Sequence, residues 1–110
     1  MQLLKDAEQS TVRILVSVVN WGEVFYQSWH RRGEESARTA MADLSRLHLQ
    51  VVQVGLEHAL KAAEIKVLHH IPYADCFAAS LAALQQATLV TSDRDFERLG
   101  RHFPILWLPR

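Results

Sequence analysis

A chain of 110 residues with 12 Lys plus Arg against 12 Asp plus Glu carries no net charge, which excludes bulk electrostatic attraction to a polyanion and leaves any phosphate recognition to a local site. The length fits one domain, and 49% apolar with 22% charged residues excludes a disordered or fibrous chain. Cys76 is the single cysteine and excludes an internal disulfide, the apolar runs fall short of the ~20 residues of a membrane span, and the start carries no apolar signal core, so a cytoplasmic protein with no membrane association is expected.

In chain order, residues 2–9 read as the end of an amphipathic helix. The β-branched run Ile14-Leu15-Val16-Ser17-Val18-Val19 predicts a strand buried on both faces, as in a parallel sheet. Asn20 reads as the N-cap of a helix running to about Arg32 and ended by Gly33. A second helix is expected over 34–47, with Ala37, Ala40, Met41, Leu44 and Leu47 near helical spacing. Leu49 to Val54 reads as a second strand. Residues 56–68 read as a helix with Leu56, Ala59, Leu60, Ala63, Val67 and Leu68 on one side. Ile71-Pro72 breaks the chain before an alanine-rich helix over 73–86. Thr88 to Thr91 is a third strand, Asp93 to about Leu99 a short helix, and Ile105 to Leu108 a last strand closed by Pro109. Strands alternating with helices indicate an α/β three-layer fold with a mainly parallel sheet.

Acidic residues stand where such an architecture binds ligands, outside the carboxyl ends of the strands. Glu23 follows the first strand in the first turn of the next helix, Asp75 lies in the first turn after Pro72, and Asp93 follows the third strand with Asp95 two residues on. Gathered carboxylates suit a hard divalent cation such as magnesium or manganese. Each residue also has a structural role open to it. Asn20-x-x-Glu23 matches a capping box, Asp75 would favour its helix dipole, and Asp93 would serve as an N-cap with Asp95 in the first turn.

The wider motif text resembles the PIN domain family, the metal-dependent ribonuclease fold of VapC-type toxins. Ser17-Val18-Val19-Asn20-Trp21-Gly22-Glu23 is similar to the family's strand-N-x-x-E segment, Ile71-Pro72-Tyr73-Ala74-Asp75 to its I-x-x-A-D helix start, and Ala87-Thr88-Leu89-Val90-Thr91-Ser92-Asp93-Arg94-Asp95-Phe96 to its A-x-L-V-T-x-D-x-D-F segment. The resemblance implies an endoribonuclease of the toxin-antitoxin type that hydrolyses RNA phosphodiesters with metal-activated water. Catalysis would fall to Glu23, Asp75 and Asp93. These three and Asp95 would hold Mg2+ or Mn2+, with Asn20, Thr91 and Ser92 in support. It further implies a cognate antitoxin and a homodimer.

The family opens with a strand ending in an aspartate, and no such strand stands here; Asp6 and Glu8 lie in helical surroundings and do not match it. The expectation is a single PIN-like domain over 1–110, incomplete at its N-terminus. The family's lost strand is central, and a segment crowded by Lys5, Asp6, Glu8 and Gln9 would refill the gap poorly, which again favours a second copy. The rival to the enzyme is a catalytically impaired module that dimerises or binds an antitoxin.

The other chemistry-bearing residues have simpler readings. His69 and His70 complement a helix C-terminus, and Cys76 is a small core residue. Trp21, Phe25 and Trp29, four apart, are expected to pack in the core, the alternative being a groove for an antitoxin helix. Arg31, Arg32, Arg94, Arg98 and Arg101 read as a solvated face, with RNA phosphates as the alternative.

Overall fold

The computed structural model describes residues 14–109, so the expectations placed on residues 2–9, Asp6 and Glu8 lie outside the described residues. The chain forms two compact units that divide between Gln53 and Val54.

In the first unit, strand β1 (Ile14–Ser17) pairs in parallel with β2 (Leu49–Val52), Ile14 beside Leu49 and Ser17 beside Val52. Helices α1 (Val18–Arg32) and α2 (Glu34–Ser45) connect them. The strand is two residues shorter than expected, because the cap outweighs the β propensity of Val18 and Val19. Ser17, extended at φ −68° and ψ 150°, accepts a hydrogen bond from the Asn20 amide at 3.1 Å, and its hydroxyl donates to the Asn20 side-chain carbonyl. Ser17 is therefore the N-cap and Asn20 the third helical residue, so the Asn20-x-x-Glu23 capping box does not form. Glu23 lies in the second turn, not the first. The strand is also not buried on both faces: Ile14, Leu15 and Val16 are half-buried and only Ser17 is buried.

Gly33 ends α1 as expected, at φ +92°, a conformation that strains any side chain; its amide reaches Trp29 O at 2.8 Å while its carbonyl starts α2 at Ala37 N, 3.0 Å. The Trp21, Phe25 and Trp29 stripe does not enter a core. Trp21 and Phe25 are half-buried and Trp29 is 43% exposed. The facing helix α2 buries only Ala37 and is too polar to bury three large rings. Phe25 and Trp29 instead meet edge to face at 5.7 Å, with the Arg38 guanidinium over both, 5.4 and 5.8 Å from the ring centres. The end of α2 falls at Ser45, whose hydroxyl turns back onto the carbonyls of Met41 and Ala42. This competition with the helix ladder leaves Leu47 outside it. β2 likewise stops at Val52, short of Val54.

In the second unit, α3 (Leu56–His69) and α4 (Tyr73–Leu84) pack together beside a second parallel pair, β3 (Leu89–Thr91) with β4 (Ile105–Trp107). Alanines make α4 a strong helix former; Cys76, Phe77, Ala79, Ser80, Leu81 and Ala82 are its buried residues. On α3 the buried residues are Ala62 and Ile65, not the expected row. Leu56, Leu60, Val67 and Leu68 are 61–77% exposed, because the side of α3 turned inward is the one that carries Ala62 and Ile65; Ser80 Oγ on α4 donates to His58 O at 2.9 Å. His70 caps α3 in the left-handed region at φ 58°, and Ile71, fully buried, precedes the Pro72 that starts α4. That helix ends at Leu84, two residues early, with Gln86 turning back at φ 52°. Residues Arg94–Leu99 form a 3-10 helix with Phe96 and Leu99 buried, closed by Gly100 at φ +89°. Thr88 and Leu108 lie just outside the short strands, although the Leu108 amide still reaches Thr91 O at 2.8 Å. The chain is a mixed α/β protein with parallel strand pairs, as its alternating pattern predicts.

Candidate metal centre

Two helix starts in the second unit create the site. Pro72 fixes the entry to α4 with an extended backbone at φ −53° and ψ 144°, offering no side-chain cap. Asp75 is then the third helical residue, half-buried, where its charge faces the positive end of the helix. On the other segment the chain leaves β3 at Thr91, whose hydroxyl accepts from the Asp93 amide at 3.0 Å. Asp93 is the N-cap of the 3-10 helix, and its Oδ1 accepts from the Asp95 amide at 2.9 Å. The capping role open to Asp93 in the sequence is thus real. It occupies one carboxylate oxygen and leaves the group able to serve a ligand as well.

These two starts bring Asp75, Asp93 and Asp95 together: each offers a carboxylate oxygen, and the three lie within 4.8 Å of one another. Asp75 is half-buried while Asp93 and Asp95 are exposed, so the group opens to solvent. Three anionic oxygen donors suit a hard divalent cation and not a soft one. Without a cation their charges repel. Glu23, half-buried on α1 in the first unit, is not a member of this group. Ser92 is half-buried beside Asp93.

The neighbouring residues separate into structure and surface. Cys76 is fully buried, with its thiol directed to Ile71 O at 3.8 Å. Burial pushes the thiol above its ordinary value; Lys66 pulls it back and Asp75 adds to the rise. A thiol held neutral is not a nucleophile. Where the sequence suggested only a helix-end charge, His69 Nδ1 lies 2.9 Å from Arg98 O, and the Arg98 guanidinium donates to His70 O at 3.0 Å. This two-way link ties the 3-10 helix to the α3–α4 corner, and so Asp93 and Asp95 to the segment that carries Asp75. Sequence reading missed it, since the side chains lie about thirty residues apart. It also missed Trp107, on which Arg94 stacks at 4.4 Å; the alternation of Ile105 and Trp107 against exposed Leu106 is the signal that could have set that ring apart.

A mixed α/β protein with parallel strands and an acidic group at converging helix starts defines the class. Within it, the PIN domain model matches residues 2–102, and the chain belongs to the PIN domain family. Solved structures agree in fold. The chain is similar to VapBC2 of Rickettsia felis bound to a promoter DNA fragment (20% identity, TM-score 0.72, covering 96% of this chain and 80% of that one). It is also similar to VapBC-1 of nontypeable Haemophilus influenzae (16%, 0.71, 97% and 85%) and to a toxin-antitoxin complex of Klebsiella pneumoniae (17%, 0.61, 87% and 78%). No curated protein matches the sequence. Among the described residues, no helix is long and apolar enough to cross a membrane.

Proposed function

We propose that the chain is a metal-dependent endoribonuclease of the toxin-antitoxin type, hydrolysing RNA phosphodiesters, and that Asp75, Asp93 and Asp95 hold its magnesium or manganese ion. The observation that carries this reading is the convergence of three carboxylates from two separate helix starts within 4.8 Å, in a chain of the PIN family. When bound, the cation supplies charge neutralisation at the phosphate and a more acidic water. The chain's own residues supply position. Asp93 is held by its cap bond to Asp95 N and by the Thr91 hydroxyl. Asp75 is held on the first turn of α4. Glu23 is assigned to the same chemistry from its motif, as are the supporting roles of Asn20 and Ser92.

An antitoxin is the protein partner in this reading. The Klebsiella pneumoniae relative is by name a toxin-antitoxin complex, and Leu56, Leu60, Val67 and Leu68 present exposed apolar surface on α3 of a kind that protein partners cover. The test is cleavage of an end-labelled RNA with Mn2+ or Mg2+ and with EDTA. Cleavage is expected only with metal, and Asp75→Asn is expected to lower it about 100-fold or more. Cleavage that persists in EDTA, or in Asp75→Asn at the wild-type rate, would overturn the assignment. Absence of cleavage in the wild type would favour the non-catalytic, partner-binding module.

A further inference from the structure

We propose that the stacked Arg94–Trp107 pair is a nucleobase-stacking platform beside the carboxylates, taking an unpaired base of a single-stranded nucleic acid. The proposal rests on the nuclease reading for its ligand class, and on the following geometry for its place. Arg94 lies in the chain between Asp93 and Asp95, at the first position of the 3-10 helix. Its guanidinium stands 4.4 Å over the Trp107 ring, and one of its nitrogens lies 3.7 Å from Glu97 Oε1. Trp107 is brought there by strand register: in the parallel β3–β4 pair it stands beside Thr91, the residue whose hydroxyl receives the Asp93 amide. The platform and the acidic group therefore grow from the same strand end.

Three properties suit the pair to a base. First, Arg94 and Trp107 line one open concavity with Arg101, Glu97, Phe103 and Ile105, where two cations outweigh one anion and aromatic surface is interleaved. That is a composition for a phosphate chain carrying flat rings, in a protein with no net charge to attract one. Second, the Arg94 side chain remains 50% exposed although one side meets the indole, so the plane keeps a surface for a second ring. Unpaired bases stack on guanidinium planes and on aromatic rings alike. Third, the indole already fixes the orientation of Arg94. Less side-chain freedom is then lost on binding than for a free surface arginine. The exposed ion pair to Glu97 is itself weak and yields to a phosphate or a base edge. A packing role alone, with Arg94 merely shielding the indole, predicts a change in stability and none in ligand binding.

The test uses the full chain in EDTA, so that no metal-dependent cleavage intervenes, and a fluorescein-labelled ten-nucleotide RNA, read by anisotropy as the single strand and as its duplex. Arg94→Gln is expected to weaken the single strand at least fivefold and to leave the duplex unchanged, because stacking needs an unpaired base. Trp107→Leu is expected to weaken the single strand similarly without changing the slope of log Kd against log salt, since the indole carries no charge. Arg94→Gln, an exposed substitution, keeps the test open should Trp107→Leu not fold. Wild-type affinity for the single strand in Arg94→Gln would overturn the platform. So would equal losses on single strand and duplex, which would mark Arg94 as a phosphate contact. Mn2+ binding measured on the same variants is expected to be unchanged. A wild type that binds no Mn2+ but loses RNA on Arg94→Gln would remove the nuclease reading and leave the platform standing.

Discussion

Asp93 does two separable things, and two substitutions divide them. It caps the 3-10 helix through Oδ1 to the Asp95 amide at 2.9 Å, and it contributes one of three carboxylates within 4.8 Å. An N-cap is worth about 1 kcal/mol, and Asn caps as well as Asp. Like charges 4.8 Å apart repel by about 0.9 kcal/mol per pair in a water-like dielectric, less in salt, and Asp93 takes part in two such pairs. Asp93→Asn keeps the cap and removes the repulsion. Asp93→Ala loses the cap and gains the same relief. In EDTA at low salt, Asp93→Asn should melt at or above the wild type, with Asp93→Ala about 1 kcal/mol, or about 4 °C, below Asp93→Asn. Adding Mn2+ should reverse the first order: at ten times its Kd the ion stabilises the wild type by about 1.4 kcal/mol and the variants by much less. Thermal denaturation followed by circular dichroism of the three proteins in both buffers reads all six midpoints. If Asp93→Asn melts with Asp93→Ala, well below the wild type in EDTA, the capping account fails. If Mn2+ raises Asp93→Asn as much as the wild type, the charge has no part in binding.

Other consequences follow from the packing. Cys76 should react with Ellman's reagent only after denaturation, because it is fully buried and its thiol is held neutral. As the folded thiol ionises later than the unfolded one, its contribution to stability is intact below the ordinary value of 9.0 and falls as pH rises through and above it; an alkaline melt series that differs between wild type and Cys76→Ala checks this. Ala62, with no exposed surface at the α3–α4 contact, should tolerate no enlargement. Ala62→Leu is expected to cost about 1–3 kcal/mol in a urea titration, and a neutral result would mean that the helices can part there. A homodimer is expected from light scattering at micromolar concentration, at twice the 12.6 kDa chain mass. A stable monomer at that concentration would refute the dimer.

The parallel α/β character was legible because short β-branched runs and helical runs alternate along the chain; the motif text singled out Asp75, Asp93 and Asp95, which the fold brings together, and also Glu23, which is not in that group. The errors came where one local interaction outweighed an average preference. Val18 and Val19 favour a strand, but the Ser17 hydroxyl satisfies the Asn20 amide and starts the helix two residues early. The regular apolar row of α3 suggested a buried face, but Ala62 and Ile65 are the residues turned inward. The aromatic stripe of α1 likewise needed a large apolar partner that α2 does not supply. Within the site, no spacing rule could reveal the link from His69 and His70 to Arg98 or the stacking of Arg94 on Trp107. Both depend on tertiary placement of residues far apart in sequence.

Calorimetric titration of Mn2+ into the wild-type chain and into Asp75→Asn asks whether the three aspartates hold a cation. A single class of site is expected in the wild type and affinity weakened at least about tenfold in the variant, since one of three anionic donors is lost while the fold keeps its helix start. Equal Mn2+ affinity in the two proteins would contradict it and show that the cation, where it binds, is held by other residues.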